Sequence, residues 1–295
     1  MKPVTRPLHL VERAALLLRE EHAAGPESAL LPEEAADAIP DSTPAAPVTI
    51  PGPANPEPGQ TLSVQTLEGA GMIISREQRD RIAEEFRIVG QQVLAGVAAS
   101  AEATPGRNLV MVTSARPGEG KSFAALNLAA SLALSGERPV ILVDADIRAG
   151  SLTETLGLQA ECGLLDLVAS PAQLAETAIV RSRVHSLHFL PIGGGSDLSG
   201  RALISTHNSI ADLLKSVAGR LRDRLFIVDA PACLSSSDPS ALAAVAGQVL
   251  LVVEAEQTRR REIEAALDLL DTCRDIRLLL NKVRVTTRDT FGIYS

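Results

Sequence analysis

Residues 109–122 read LVMVTSARPGEGKS. The opening LVMVT is an apolar, β-branched run of the kind a buried strand uses, and SFAALNLAASLALSG (122–136) reads as an Ala- and Leu-rich helix. Between them, Ala115 followed by Gly120-Lys121-Ser122 fits the phosphate-loop pattern G-x-x-x-x-G-K-[ST], with alanine as the small first residue. Each residue type suits an anion. Gly118 and Gly120 lack Cβ, so backbone N–H groups can curl around a phosphate. A helix opening near Lys121 adds unpaired N–H donors and the positive end of a dipole. Lys121 supplies a point charge, the Ser122 hydroxyl a magnesium ligand, and Pro117 stiffens the approach. The residues expected against a bound nucleotide are Pro117, Gly118, Glu119, Gly120, Lys121, Ser122 and Phe123, with Asn281 near its base.

The pattern around this loop extends along the chain. PVILVDAD, LHFLPIG, RLFIVDAP, QVLLVVEAE and IRLLLNK are further strand candidates, separated by amphipathic or Ala-rich helical stretches. Strand–helix alternation with continuous apolar strands predicts an α/β fold: a parallel sheet flanked by helices on both faces. Asp144 and Asp146 end one apolar run and Asp229 another, at the strand edge where open α/β sheets bind ligands. Three carboxylates there, near a phosphate loop whose Ser122 hydroxyl is a magnesium ligand, predict one magnesium site and a candidate proton acceptor.

The remainder is different in texture. The 295 residues are 45% hydrophobic with no tryptophan and one tyrosine, Tyr294 in the closing DTFGIYS. The formal charge of −8 is misleading: residues 25–75 hold seven acids and no Lys or Arg, leaving −1 for everything else. The same stretch holds nine of the eighteen prolines, and its composition predicts a disordered acidic linker over 25–75 reaching roughly 40 Å as a coil. Ahead of it, residues 1–24 contain an expected amphipathic helix, a candidate docking segment. Residues 76–295 are expected to form the nucleotide-binding domain and its tail. No apolar run reaches the roughly 20 residues of a membrane span. Cys162, Cys233 and Cys273 form no metal- or redox-spaced pair. TRRRE (258–262) lacks interleaved aromatics, so no nucleic-acid partner is expected.

The PGEGKS loop, the D-x-D strand end at Asp144/Asp146 and the aspartate at Asp229 resemble, in this order, the bacterial tyrosine kinase family, over about Ala83–Lys282. VERAALLLRE, the proline-rich spacer and AEEFRIVGQQVL are most similar to its exosortase-associated, exopolysaccharide-linked subgroup. The resemblance implies ATP and Mg²⁺ as cofactors and a protein-tyrosine kinase activity regulating polysaccharide synthesis and export. It implies Lys121, Asp144 and Asp146 as catalytic residues, Asp144 helping to activate the tyrosine hydroxyl, and a magnesium site of Ser122, Asp146 and Asp229, the two aspartates organising the metal through its waters. It also implies a separate membrane-spanning chain-length regulator as partner, a cytoplasmic protein held at the inner membrane through that partner, and Tyr294 as phosphoacceptor. The family's ring-forming helix carries E-x-x-R-x-x-R; here that register gives Glu84, Arg87 and Gly90, so the assembly motif is incomplete.

Two other functions fit the same residues. One is an ATP-binding adaptor that regulates a membrane partner without phosphorylating anything. The other is a Min/Par-type ATPase, although the signature lysine of that group is Arg116 here. A GTPase is disfavoured because Arg284 stands where Asn281-Lys282 would be followed by a guanine-reading aspartate.

Overall fold

A computed structural model of the chain describes residues 61–73, 80–100, 104, 106–148, 150–158, 162–169, 178–193, 200–236 and 238–283. The expected helix within residues 1–24 and Tyr294 lie outside them, as does most of the expected linker. The strands are β1 (Leu109–Ser114), β2 (Val140–Asp144), β3 (Val180–Arg181), β4 (Leu187–Leu190), β5 (Leu225–Asp229), β6 (Gln248–Glu254) and β7 (Ile276–Asn281). The helices are α1 (Val64–Gly69), α2 (Asp80–Ala99), α3 (Lys121–Ser135), α4 (Leu152–Thr155), α5 (Leu164–Ala169), α6 (Gly200–Arg220), α7 (Asp238–Ala243) and α8 (Arg260–Leu269).

The sheet runs β3-β4-β2-β5-β1-β6-β7. All pairings are parallel except β3 with β4. The six strands read from the sequence are all present. The seventh, β3, has two residues, too short to leave an apolar run. β1, β2 and β5 are buried along their whole length, and successive side chains enter opposite layers. Val110 and Val112 pack with Leu142 and Ile227 beneath the mostly buried α3. Met111 packs with Ile141, Val143, Phe226 and Val228 in the layer that α6 covers through Ile210, Leu214 and Val217. Continuous Val/Ile/Leu runs are what a strand covered on both faces requires.

This order decides where the site falls. β5 lies between β1 and β2, in register Val112↔Asp229 on one side and Asp144↔Asp229 on the other. The loop after β1 and the acidic ends of β2 and β5 therefore meet at one sheet edge.

The linker boundary expected at residue 76 requires correction. Residues 61–73 are packed: Leu67 and Met72 are buried in the layer with α3. Leu62 pairs with the β3 edge, donating its N–H to Arg181 O and accepting from Arg183 N, each at 2.9 Å. The buried Asn127 of α3 accepts from Ile73 N at 2.8 Å and donates to Gly71 O at 3.1 Å. One amide thus satisfies two backbone groups of a segment that bulk composition marked as linker.

Candidate active site

The loop between β1 and α3 takes the shape its glycines permit. Gly118 and Gly120 have φ of 86° and 95°, the left-handed region that residues with a Cβ avoid. Gly120 is the N-cap of α3 and brings no capping side chain, so the first-turn N–H groups are left for an anion. The loop is braced from within. Ser114 Oγ donates to Arg116 O at 2.7 Å, and the buried Glu119 carboxylate accepts from Arg116 N at 2.9 Å and from the Thr258 hydroxyl. The Phe123 ring packs edge-on against Phe86 of α2, centroids 6.0 Å apart. Its side chain therefore faces α2, and only its backbone belongs to the loop.

Lys121 joins the strand ends. Its Nζ lies 2.8 Å from Asp146 Oδ2, 3.4 Å from Asp229 Oδ1 and 3.1 Å from Ser122 Oγ. Burial pulls its pKa down, but the carboxylates of Asp229 and Asp146 outweigh that and hold it above the usual lysine value. For Asp146 burial acts upward, and the Arg148 guanidinium, at 2.9 and 3.2 Å, together with Lys121 holds the carboxyl below the ordinary range.

Asp229 is fully buried, and burial pushes it up to about 7; Lys121 opposes the rise and Asp144 adds to it. Its Oδ2 is buried with no hydrogen-bond partner. A carboxylate oxygen so placed, beside the Ser122 hydroxyl, fits a divalent cation, whose charge would offset the desolvation. Among the described residues no three His, Cys, Asp or Glu side chains form a group that could hold a metal ion by themselves.

Asp144 is set apart from this group. Its Oδ1 accepts from Asp146 N at 3.1 Å and its Oδ2 from Thr153 N at 2.7 Å. Burial raises its pKa despite those bonds. In this conformation it anchors the turn into α4. Asp146 lines a cleft of about 220 Å³ with Arg148, Thr153, Glu154, Ile192 and Gly193.

Asn281 reaches the loop from β7: its Nδ2 donates to Glu119 O at 2.9 Å. Arg148, Thr153, Thr258 and Lys282 join the site without being among the residues expected there from sequence. Arg148 could have been found, since it stands two residues past the D-x-D; Thr258 carries no local signal, because only the sheet order brings it beside Glu119.

The family described as ParA, NUBPL iron-transfer P-loop NTPase, matches residues 106–261. The chain belongs to the ParA family of P-loop NTPases. Relatives of the chain include EpsB of Ralstonia solanacearum, named as a tyrosine-protein kinase, 37% identical over 171 residues that cover 56% of this chain and 21% of EpsB. The succinoglycan biosynthesis transport protein ExoP of Rhizobium meliloti is 31% identical over 231 residues, 76% of this chain and 27% of ExoP. The chain thus spans about a fifth to a quarter of those relatives' lengths. Among solved structures, the kinase domain of Escherichia coli tyrosine kinase ETK superposes with a TM-score of 0.53 at 26% identity, covering 61% of this chain and 69% of that domain. This ParA-type domain therefore has bacterial tyrosine kinases as relatives and their kinase domains as structural neighbours. No helix among the described residues is long and apolar enough to cross a membrane.

Proposed function

We propose that this chain is an ATP-dependent protein-tyrosine kinase domain that regulates exopolysaccharide synthesis and export. The observation that carries the proposal is Lys121, held by Asp146 and Asp229 at the mouth of an uncapped phosphate loop, in a chain similar to named tyrosine kinases. Backbone N–H groups of residues 118–122 would cradle the phosphates. Lys121 would exchange part of its carboxylate contact for phosphate oxygens and remain charged, as its raised pKa requires. Ser122 and Asp229 would hold a divalent cation, with Asp146 close by; when bound, it supplies charge neutralisation across the β- and γ-phosphates.

The acceptor hydroxyl would enter the cleft beside Asp146 and lose its proton late, since a phenol has a pKa of about 10. Of the two carboxylates Asp146 lines the cleft and is the one that would face the acceptor, while Asp144, bound to the N–H groups of Asp146 and Thr153, would act by holding the turn that presents it. Tyr294, the chain's one tyrosine, is the proposed acceptor for autophosphorylation. The link to polysaccharide rests on relatives such as ExoP. A membrane-spanning regulator is the proposed partner, which would place the domain at the inner membrane from the cytoplasmic side.

The test is intact mass and phosphopeptide mapping of the full chain incubated with Mg²⁺ and ATP, with and without the partner's cytoplasmic segment. One added phosphate on Tyr294, absent in Lys121→Met, is the expected result. Bound ATP with no phosphate on protein under either condition would assign the chain to the adaptor reading instead.

A further inference from the structure

Two successive residues at the end of β7 seize the outer face of the phosphate loop. Lys282 Nζ donates to Gly118 O at 2.7 Å, and Asn281 Nδ2 donates to Glu119 O at 2.9 Å. Lys282 is in turn tied to Glu254 at the end of β6, Nζ to Oε2 3.0 Å. The Asn281 amide also lies over Gly120, where an added Cβ would collide with it.

Neighbouring side chains of a strand point to opposite faces, so two in a row cannot normally reach one loop. Lys282 solves this with φ of 57°, a left-handed conformation unfavourable for a residue with a Cβ. Strain of that kind persists where the surroundings enforce it, and it clusters at functional sites.

The consequence follows from peptide geometry. Within a trans peptide unit the C=O and N–H point in opposite directions. Drawing Gly118 O outward turns Glu119 N–H inward, and drawing Glu119 O outward does the same for Gly120 N–H. These are the donors a bound polyphosphate would meet.

We infer that Asn281 and Lys282 are positioning residues that preset the loop's N–H groups for a polyphosphate, Asn281 acting on the phosphates through the loop and not on the base. This rests on the nucleotide-binding reading above and assigns Asn281 a role different from the base contact expected from sequence. A loop braced in this way has less freedom to lose on binding.

Calorimetric titration of the full chain separates the roles, using Mg²⁺-tripolyphosphate, which has no base, beside Mg·ATP. Asn281→Ala and Lys282→Gly should each weaken both ligands by the same factor, about tenfold, the scale of one hydrogen bond serving a charged ligand. Lys282→Arg, which keeps a donor, should recover most of the loss. Lys282→Gly should also keep or raise the thermal midpoint, because glycine relieves the left-handed backbone. A purely structural role would lower affinity and midpoint together. The inference fails if Asn281→Ala weakens ATP but leaves tripolyphosphate binding unchanged, or if wild-type chain binds ATP and not tripolyphosphate. If wild-type chain binds neither, the nucleotide reading falls with it.

Discussion

Asp229 carries a charge that its surroundings disfavour. It is fully buried, one oxygen is unpartnered, and its pKa is pushed up to about 7 by burial with Asp144 adding to it against Lys121. The sign of the consequence is fixed by linkage. An acid whose folded pKa lies above its unfolded value, about 3.9 for Asp, binds more protons folded than unfolded between the two values. Stability without ligand therefore falls as pH rises through that window and stays low above about 7. The urea midpoint should decline from pH 5 to pH 8, and Asp229→Asn should flatten most of the decline. Asp144, also raised by burial, leaves a residual slope. An Asp229→Asn profile as steep as wild type would show that the burden lies elsewhere. Asp146 behaves oppositely: its lowered pKa means a contribution present at neutral pH and lost on acidification through its folded value.

At the scale of elements, legibility varied with how local the signal was. The central strands were readable because burial on both faces forces unbroken apolar runs, and the loop after β1 because phosphate binding fixes glycines, lysine and serine at set intervals. β3 was not readable, since two residues carry no period. The ordering of residues 61–73 was obscured by averaging over a proline-rich window, although the prolines end at Pro58 and Leu62, Leu67 and Met72 follow. α1 is short and hardly stable alone; Leu67 in the core holds it, and the Asn127 amide fixes the turn that follows it at Gly71 and Ile73. Leu67→Ala should cost about 2–4 kcal/mol, the range for emptying a buried leucine site, read as a lower urea midpoint at unchanged m-value. A cost within error would show that α1 contributes nothing to the fold. α2 explains the incomplete assembly motif in physical terms. Glu84 and Arg87 pair at 2.7 Å on the exposed face, whereas Gly90 is turned inward, where a Cβ would lie 3.3 Å from a Leu132 methyl. A side chain at the third place in that spacing would start from this inward, tightly packed position and not from the face that carries Glu84 and Arg87.

At the scale of the whole molecule, the sheet order makes one site from three separate sequence signals. Residues 121, 146 and 229 are far apart in the chain, yet Lys121 touches both acids because β5 was inserted between β1 and β2. That convergence was legible as an expectation, since carboxylates at strand ends near a phosphate loop share one sheet edge in any doubly wound fold. Asn281 was legible as a site residue but not as a partner of the Glu119 carbonyl, and Thr258 and Lys282, which follow β6 and β7, were not legible, because they meet the loop only once the far edge of the sheet is closed. Nor could the sequence show that Asp144 is committed to backbone N–H groups while Asp146 faces the cleft; the two carboxylates differ by one turn of chain beyond β2.

The most direct measurement is calorimetric titration of the folded full chain with Mg·ATP, repeated on Lys121→Met. The predicted result is saturable binding by wild type that weakens about 100-fold or more in the variant, as expected when a buried cation facing phosphates is removed. Equal affinity in the two proteins would contradict the account, because the phosphates would then not be held at Lys121.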